Sequence, residues 1–168
     1  MLFRSVAAVT LTGSPAAGAK VAAAAGAACK KSVLELGGSD AFIVLADADI
    51  PAAVAAAVRA RFTNCGQVCL AAKRFIIEAS VAEEFSALFT AAATALRSGD
   101  PLLASTQIGP MAREDLRAQL EAQVAASVRA GARVRVGAKR GDAAGWFYTP
   151  TVLDAVTPDM PVAAQETF

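Results

Sequence analysis

The chain has 168 residues, of which 55% are hydrophobic and 18% charged, a composition typical of one globular domain and not of a disordered or collagen-like chain. Its formal net charge is only +1, so no basic surface field favours nucleic acid as a partner. It has three cysteines and no histidine, which excludes histidine-activated nucleophiles and histidine metal ligands within the chain and favours a free thiol over a disulfide framework or a zinc site.

The predicted elements alternate between strands and helices in the first half of the chain. Short apolar runs predict strands, and alanine-rich stretches that begin after a capping residue predict helices. Asp49, followed by Pro51, is the predicted N-cap of the second helix. In chain order, the sequence predicts strand, helix, strand, strand, helix and strand at 6–11, 16–29, 33–36, 42–45, 50–62 and 73–78.

The second half continues the pattern with longer connections. Ser80 and Glu83 have the spacing of a capping box, which predicts a helix that runs to the stop signal at 98–101. Strands that alternate with helices in this way predict an α/β fold built on a mainly parallel sheet. The remaining predictions are a loop at 102–110, a helix at 113–130, a strand at 133–136, a glycine-rich turn at 137–145 and an extended segment at 146–153.

Charged residues interrupt the apolar stretches, so no run reaches the length expected of a transmembrane helix. The N-terminal sequence is also a poor match to a secretory signal peptide, because its first charge follows the apolar residues 1–3. We therefore expect a cytoplasmic protein with no membrane partner.

Three segments could carry chemistry, and the first is the turn at 13–18 between the first strand and the first helix. Backbone N–H groups and the helix dipole would favour an anion such as a pyrophosphate at this turn. The segment lacks both the Walker motif and the G-x-G-x-x-G fingerprint. The alternative is a plain strand-to-helix turn that is capped by Ser14.

The second segment is Glu35-Leu36-Gly37-Gly38, in which a carboxylate ends an apolar strand just before two glycines. The glycines allow another chain or a ligand to approach closely, and a half-buried carboxylate there would suit a general base. The alternative is a strand-end residue that points into solvent.

The third segment contains Cys65 and Cys69, four residues apart around a Gly-Gln pair. In a helical interpretation, both sulfur atoms lie on one face. A metal site would need further soft ligands, and only Cys29 remains. Two interpretations stay open: a nucleophilic thiolate at a helix N-terminus, where the dipole favours the anion, and a buried inert cysteine.

The three segments, taken together and in this order, resemble the aldehyde dehydrogenase superfamily. They are a strand followed by Gly-Ser-x-x-x-Gly, then Glu-Leu-Gly-Gly, then Asn-x-Gly-Gln-x-Cys. The sequences at 33–40 and 66–75 are most similar to the succinate-semialdehyde dehydrogenase subgroup. Further segments resemble family landmarks in the expected order at 46–49, 99–101, 109–111, 150–152, 158–160 and 165–168.

The resemblance implies an aldehyde-dehydrogenase-like α/β fold and a division into two parts. Residues 1–38 correspond to the last part of a Rossmann-like NAD(P)-binding domain, and residues 39–168 to most of a three-layer catalytic domain. The chain would then be the middle portion of a family chain, and full-length members would be homo-oligomers.

The resemblance also assigns roles to individual residues. Cys69 matches the catalytic nucleophile, and Glu35 matches the general base. Glu166 matches the carboxylate that binds the nicotinamide ribose, and Phe168 matches the aromatic residue beside the nicotinamide. The full set of positions that match NAD or NADP contacts is Gly13, Ser14, Gly18, Leu36, Gly37, Glu166 and Phe168, and no metal is implied.

The implied function is NAD(P)-dependent oxidation of a small aldehyde. Succinate semialdehyde is the first candidate, and another aliphatic or aromatic aldehyde stays open. Cys69 would form a thiohemiacetal and then a thioester, which water activated by Glu35 would hydrolyse. Two alternatives remain: an inactive remnant or interaction module that keeps the motifs, and a cofactor-independent thiol esterase. The chain alone is expected to be at best a weakened dehydrogenase.

Overall fold

The computed structural model describes residues 5–168, and the chain divides into two compact units, the first ending at Gly38 and the second beginning at Ser39. Both units contain helices and strands, which confirms the predicted α/β class. The signal-peptide prediction rests on residues 1–4, which lie outside the described residues. No helix within residues 5–168 combines the length and the apolar character that a bilayer crossing requires.

The first unit is a strand, helix, strand motif. Its two strands pair in parallel, with Thr12 opposite Glu35. The helix between them begins one residue before and ends two residues before the predicted bounds, and Ser14 caps it, because Ser14 Oγ accepts a hydrogen bond from the backbone N–H of Ala17 at 3.3 Å. The elements are β1, α1 and β2, at Ala8–Thr12, Pro15–Ala27 and Lys31–Glu35.

The second unit carries the remaining strands and helices. Asp49 caps its first helix as predicted, since the Asp49 carboxylate accepts the backbone N–H of Ala52 at 3.0 Å. Short 3-10 helices occupy Thr63–Gly66 and Ala79–Val81. The longer elements are β3 (Asp40–Val44), α2 (Ile50–Phe62), β4 (Ala72–Ile77), α3 (Ala82–Thr94), α4 (Glu114–Arg129), β5 (Arg133–Val136), β6 (Val152–Asp154) and α5 (Pro161–Ala164).

The core of the second unit lies where β3 and β4 pack against α2 and α3. Phe85 and Phe89, one turn apart on α3, stack with ring centroids 5.6 Å apart, and Phe75 of β4 lies 4.8 Å from Phe89. Aromatic pairs of this kind add about 0.5–1.5 kcal/mol to the burial of their surface. The buried residues of this core are Val44, Ile50, Val54, Ala57, Phe85 and Phe89.

The strands of residues 5–168 form three two-stranded sheets, so the prediction of one mainly parallel sheet is wrong. The pairs β1–β2 and β3–β4 are parallel, and the pair β5–β6 is antiparallel. The third pair differs because no helix crosses over between β5 and β6, and a chain that turns back directly pairs antiparallel. Of the extended segment predicted at 146–153, only its end belongs to a strand, β6.

The capping box predicted at Ser80 and Glu83 is absent. Helix α3 begins at Ala82, and its N-cap residue, Val81, makes no side-chain cap. Ser80 lies inside a 3-10 helix, where it lacks the extended backbone that an N-cap needs. The Glu83 carboxylate instead accepts a hydrogen bond from Arg135 at 3.2 Å.

Helix α3 also ends earlier than predicted, at Thr94. Ser98 forms an isolated parallel bridge with Ile108, and the backbone N–H of Gly99 donates to the Ile108 carbonyl at 3.0 Å. Backbone groups that pair across the loop cannot also continue a helix. Apart from this bridge, the described loop at 102–110 has neither helix nor strand, as predicted.

Candidate functional site

In the first unit, the glycine turn lies at the carboxyl ends of β1 and β2. The backbone N–H of Gly13 donates to the carbonyl of Glu35 at 3.0 Å, which extends the strand pairing by one bond. Ser14 follows as the N-cap of α1, and both Gly13 and Ser14 are exposed. The turn therefore brings Gly13, Ser14 and Glu35 together at the edge where α/β sheets commonly bind ligands, and the helix dipole favours an anion there.

Glu35 is exposed at the end of β2, so the expectation of a half-buried carboxylate is wrong. The reason is that, among the described residues, β2 pairs with only one strand, β1, so few neighbouring residues bury its end. Leu36 is half-buried, and Gly37 is exposed. The carboxylate of Glu35 is thus open to water.

Gly18 lies one turn inside α1 and is buried. A Cβ at this position would lie 2.6 Å from Cδ2 of Leu36, which is well inside van der Waals contact. The absent side chain therefore lets α1 pack closely against the segment that follows β2. Gly18 is therefore needed for this packing, and its role as a cofactor contact stays a prediction.

In the second unit, α2 ends in a strained loop. Asn64 and Cys65 both have positive φ, 52° and 57°, and Gly66 follows at 78°. Left-handed backbone costs a non-glycine residue about 1–3 kcal/mol and persists where the surrounding structure imposes it. Here the Asn64 side chain donates to the carbonyl of Gln67 at 3.1 Å, and Gln67 Oε1 accepts the backbone N–H of Ala112 at 2.9 Å. The Asn-x-Gly-Gln motif thus anchors the loop that leads to the second cysteine.

Cys69 is exposed in a tight turn between this loop and β4. The turn is closed by a hydrogen bond from the backbone N–H of Ala71 to the carbonyl of Val68 at 3.0 Å. The interpretation that places Cys69 at a helix N-terminus is wrong, because the 3-10 helix before it ends at Gly66 and the next element is a strand. The single helical face proposed for Cys65 and Cys69 is absent for the same reason.

Lys73, near the start of β4, holds the turn around Cys69. The Lys73 side chain is 0% exposed, and its Nζ donates to the carbonyls of Val68 and Cys69 at 3.2 and 2.6 Å. The same Nζ lies 3.4 Å from Oε1 of Glu166. One ammonium group therefore brings the Cys69 turn and the Glu166 carboxylate together.

Cys65 has a different environment from Cys69. It is half-buried, and its Sγ donates to the carbonyl of Gly109 at 3.3 Å. Burial raises the pKa of the Cys65 thiol. At neutral pH Cys65 is therefore protonated and a weak nucleophile.

The segment after α5 carries Glu166 and Phe168, both half-buried. Thr167 between them is buried, and its carbonyl accepts hydrogen bonds from both terminal nitrogens of Arg61 at 3.4 and 3.3 Å. The Gln123 side chain donates to the carbonyl of Glu166 at 3.0 Å. Side chains from α2 and α4 therefore fix the backbone of this segment.

The sequence analysis did not identify Lys73 or Arg61 as site residues, although the residue pattern around each of them indicates a buried position. Lys73 alternates along β4 with exposed residues and shares a face with Phe75 and Ile77, which face the core. Arg61 stands four residues after the buried Ala57 on α2, so it continues the buried helical spacing. A charged residue at a core position of a strand or helix is the pattern that could have identified them.

The described residues offer groups for a dinucleotide but no cluster for a metal ion. Within residues 5–168, no three His, Cys, Asp or Glu side chains are arranged to hold a metal. The first unit offers the exposed turn at Gly13 and Ser14, and the second unit offers the Glu166 carboxylate.

Comparison with known proteins identifies relatives of the whole chain. The model of the aldehyde dehydrogenase family matches residues 3–168. The chain is 55% identical over 163 residues to the NAD(P)+ succinate semialdehyde dehydrogenase Sad of Escherichia coli strain K12, covering 97% of this chain and 35% of that protein. It is 53% identical over 163 residues to the NADP+ succinate-semialdehyde dehydrogenase of Mycobacterium leprae strain TN, covering 97% and 36%.

Solved structures of similar proteins confirm the aldehyde-dehydrogenase-like fold. A structure described as a study of cofactor and substrate selection by Gox0499 superposes with a TM-score of 0.95 at 47% identity, covering 98% of this chain and 36% of that one. Succinate-semialdehyde dehydrogenase from Burkholderia pseudomallei superposes with a TM-score of 0.92 at 36% identity, covering 96% and 34%. The chain spans about a third of the length of the curated relatives it matches. Because the family model matches nearly the whole sequence, the chain belongs to the aldehyde dehydrogenase family.

Proposed function

We propose that this chain carries catalytic and cofactor-binding residues of an NAD(P)-dependent aldehyde dehydrogenase, with Cys69 as nucleophile and Glu35 as general base. The observation that carries the proposal is the exposed Cys69 thiol on a turn whose carbonyls are held by the buried Lys73. Exposure lets an aldehyde carbon reach Sγ, and a fixed turn keeps the sulfur in a constant position for attack.

In this proposal Cys69 attacks the aldehyde as a thiolate. A carbon–sulfur bond forms, and the carbonyl π electrons move to oxygen, which gives a thiohemiacetal oxyanion. In the described part of the chain, the backbone N–H of Cys69 donates no hydrogen bond, so it is available to that oxyanion. Oxidation of the thiohemiacetal leaves the acyl group on Cys69 as a thioester.

Glu35 acts in the second half of the proposed reaction. Its carboxylate takes a proton from water while the water oxygen attacks the thioester carbon. The carbon–sulfur bond then breaks, the carboxylic acid leaves, and Cys69 returns to the thiolate. The exposure of Glu35 at the end of β2 supports this role, because water reaches the carboxylate freely.

Several residues of the chain are proposed contacts of a nicotinamide dinucleotide. The exposed N-terminus of α1, with Gly13 and Ser14, suits a pyrophosphate. The Glu166 carboxylate suits ribose hydroxyls, and Phe168 offers an aromatic ring for the nicotinamide. When bound, the dinucleotide supplies the acceptor for the hydride that leaves the thiohemiacetal carbon. Leu36 and Gly37, which follow β2, are further proposed contacts.

Succinate semialdehyde is the proposed substrate. The support is the similarity to the two bacterial succinate-semialdehyde dehydrogenases, at 55% and 53% identity. Another small aldehyde is the second candidate. The matched comparison is butanal, which has the same four-carbon chain without the carboxylate, and we expect a higher KM for butanal than for succinate semialdehyde.

The test assays the 168-residue chain with succinate semialdehyde and NAD+ or NADP+, following the absorbance of the reduced nicotinamide. We expect C69S to lower the rate by at least about 10³-fold, because the nucleophile is lost. The matched control is C29S, since Cys29 is an exposed cysteine outside the proposed site, and its activity should equal that of the unmodified chain.

Two other outcomes correspond to the alternatives. Turnover of p-nitrophenyl acetate that depends on Cys69 but shows no nucleotide reduction with any aldehyde would identify a thiol esterase and overturn the proposal. A folded chain with neither activity would be an inactive remnant, and this result would also overturn the proposal for this chain.

A further inference from the structure

Lys73 is a fully buried cation in the second unit. Its side chain is 0% exposed, whereas its neighbour Arg74 is exposed. Moving an ammonium group from water into a protein interior costs several kcal/mol unless the charge is paired and hydrogen-bonded. A methionine would bury a similar aliphatic chain without the cost of removing a charge from water. Burial of the aliphatic part therefore does not by itself explain a lysine at this position.

The contacts of Lys73 Nζ match the three N–H donors of an ammonium group, which has no acceptor. Two donors go to the carbonyls of Val68 and Cys69 at 3.2 and 2.6 Å. A third contact runs to the Glu166 carboxylate at 3.4 Å. The bond to the Cys69 carbonyl is the shorter of the two, at 2.6 Å, and it holds the residue that bears the thiol.

We propose that Lys73 is a positioning residue that couples the turn of Cys69 to the carboxylate of Glu166. The proposal rests on the roles proposed above for Cys69 and Glu166. A hydroxyl group that donates to the Glu166 carboxylate takes up part of its negative charge and weakens its attraction for Lys73. Lys73 then binds the two carbonyls of the turn more strongly, so a ligand at Glu166 changes the backbone that carries the nucleophile.

A double-mutant cycle on the 168-residue chain measures this coupling without any nucleotide. The quantity measured is the second-order rate constant for alkylation of Cys69 by iodoacetamide, determined by peptide mass spectrometry in the unmodified chain, E166Q, K73M and K73M/E166Q. We expect E166Q to change this rate constant at least about threefold in the presence of Lys73 and to leave it unchanged in the K73M background.

Three controls separate coupling from a general loss of structure. K73R keeps a buried cation with several donors, so the effect of E166Q should return in the K73R background. R74M removes the neighbouring positive charge on the exposed face of β4, and E166Q should act in R74M as it does in the unmodified chain. Alkylation of the exposed Cys29 in each sample reports any change in the reagent, and alkylation of the half-buried Cys65 reports a loss of folding in the second unit.

Equal effects of E166Q in the presence and absence of Lys73 would overturn the proposal. So would a rate constant for the single variant K73M that equals that of the unmodified chain. If thermal unfolding shows that K73M does not fold, K73Q replaces it in the cycle, because its amide still donates to a carbonyl while the charge is lost. Coupling in a chain that reduces no NAD(P) would refute the proposed function alone. Nucleotide reduction without coupling would refute the role of Lys73 alone.

Discussion

Arg61 and Thr167, which lie 106 residues apart in the chain, are joined by two hydrogen bonds from the guanidinium to the Thr167 carbonyl, at 3.4 and 3.3 Å. The same guanidinium packs over Gly66, where a Cβ would lie 3.2 Å from its Cζ. Burial lowers the pKa of Arg61, as expected for a cation removed from water. Arg61 therefore ties the strained loop before Cys69 to the segment that carries Glu166.

Replacing Arg61 with methionine should release the C-terminal segment. A hydrogen-bonded contact of a charged group is worth about 1.5–3 kcal/mol, so the free energy of unfolding of R61M should fall by about 1.5–3 kcal/mol. Urea unfolding measures this loss, and hydrogen exchange should accelerate most at 165–168. R59M is the matched control, because Arg59 is exposed on the same helix. An equal loss in R59M would show that helix charge is responsible and that the bond to Thr167 is not.

Gly18 and Gly26 provide a matched pair of alanine substitutions on α1. A Cβ at Gly26 meets nothing within 4 Å, so G26A should stabilise the chain by about 0.5–1 kcal/mol through helix propensity. A Cβ at Gly18 would lie 2.6 Å from Leu36, so the free energy of unfolding of G18A should be at least about 1 kcal/mol below that of G26A.

The L36A background tests the cause of this difference. Shortening Leu36 removes the atoms that a Cβ at position 18 would meet, so G18A and G26A should then have similar effects on urea unfolding. A difference that persists in L36A would mean that Gly18 is required for a reason other than its contact with Leu36.

The features that the sequence predicted correctly depend on neighbouring residues. Helices α1 and α2 begin at the predicted caps, Ser14 and Asp49, because each cap bonds to an N–H three residues along the chain. The order of the three motifs identified the family, because this order is visible in the sequence without knowledge of which residues are in contact. The prediction of a capping box at Ser80 and Glu83 was wrong, because Ser80 lies in a 3-10 helix and the Glu83 carboxylate accepts a hydrogen bond from the distant Arg135.

The features that the sequence did not predict depend on contacts between distant segments. The positive φ of Cys65 was not predicted, because the loop that contains it is held by a bond from the distant Ala112 N–H to the Gln67 side chain. The partners of Lys73 could not be inferred from the pattern of β4, since one of them, Glu166, lies near the other end of the chain. Strand alternation could identify Lys73 as buried, but not what it binds.

Cys65 should be the slowest of the three cysteines to react with iodoacetamide. Burial raises the pKa of the Cys65 thiol, whereas Cys29 and Cys69 are exposed. A smaller thiolate fraction and poorer access should together make its rate constant at neutral pH at least about tenfold lower than that of Cys29. Peptide mass spectrometry measures the three rates, and the gap should close in urea. Faster labelling of Cys65 than of Cys29 in the folded chain would contradict its burial.

The single tyrosine of the chain, Tyr148, has a buried hydroxyl with no hydrogen-bond partner in the described part of the structure. Burial, and to a smaller extent the negative charge of Glu121, raises the pKa of Tyr148 to about 12 from an ordinary value of 10.0. Between these two pH values the unfolded chain loses the phenolic proton and the folded chain keeps it. The free energy of unfolding should therefore fall as pH rises from about 10 to about 12, by at most about 1.4 kcal/mol per pH unit.

Y148F should remove this alkaline loss of stability at little cost near neutral pH. The hydroxyl makes no bond that phenylalanine would lose, so the two chains should differ by less than about 1 kcal/mol in urea unfolding at neutral pH. Above pH 10 the stability of Y148F should decline less steeply. Phenolate absorbance reports Tyr148 alone, because the chain has no other tyrosine. Ionisation of the folded chain at the ordinary tyrosine pKa, or an equally steep decline in Y148F, would place the hydroxyl in contact with water and contradict its burial beside Glu121.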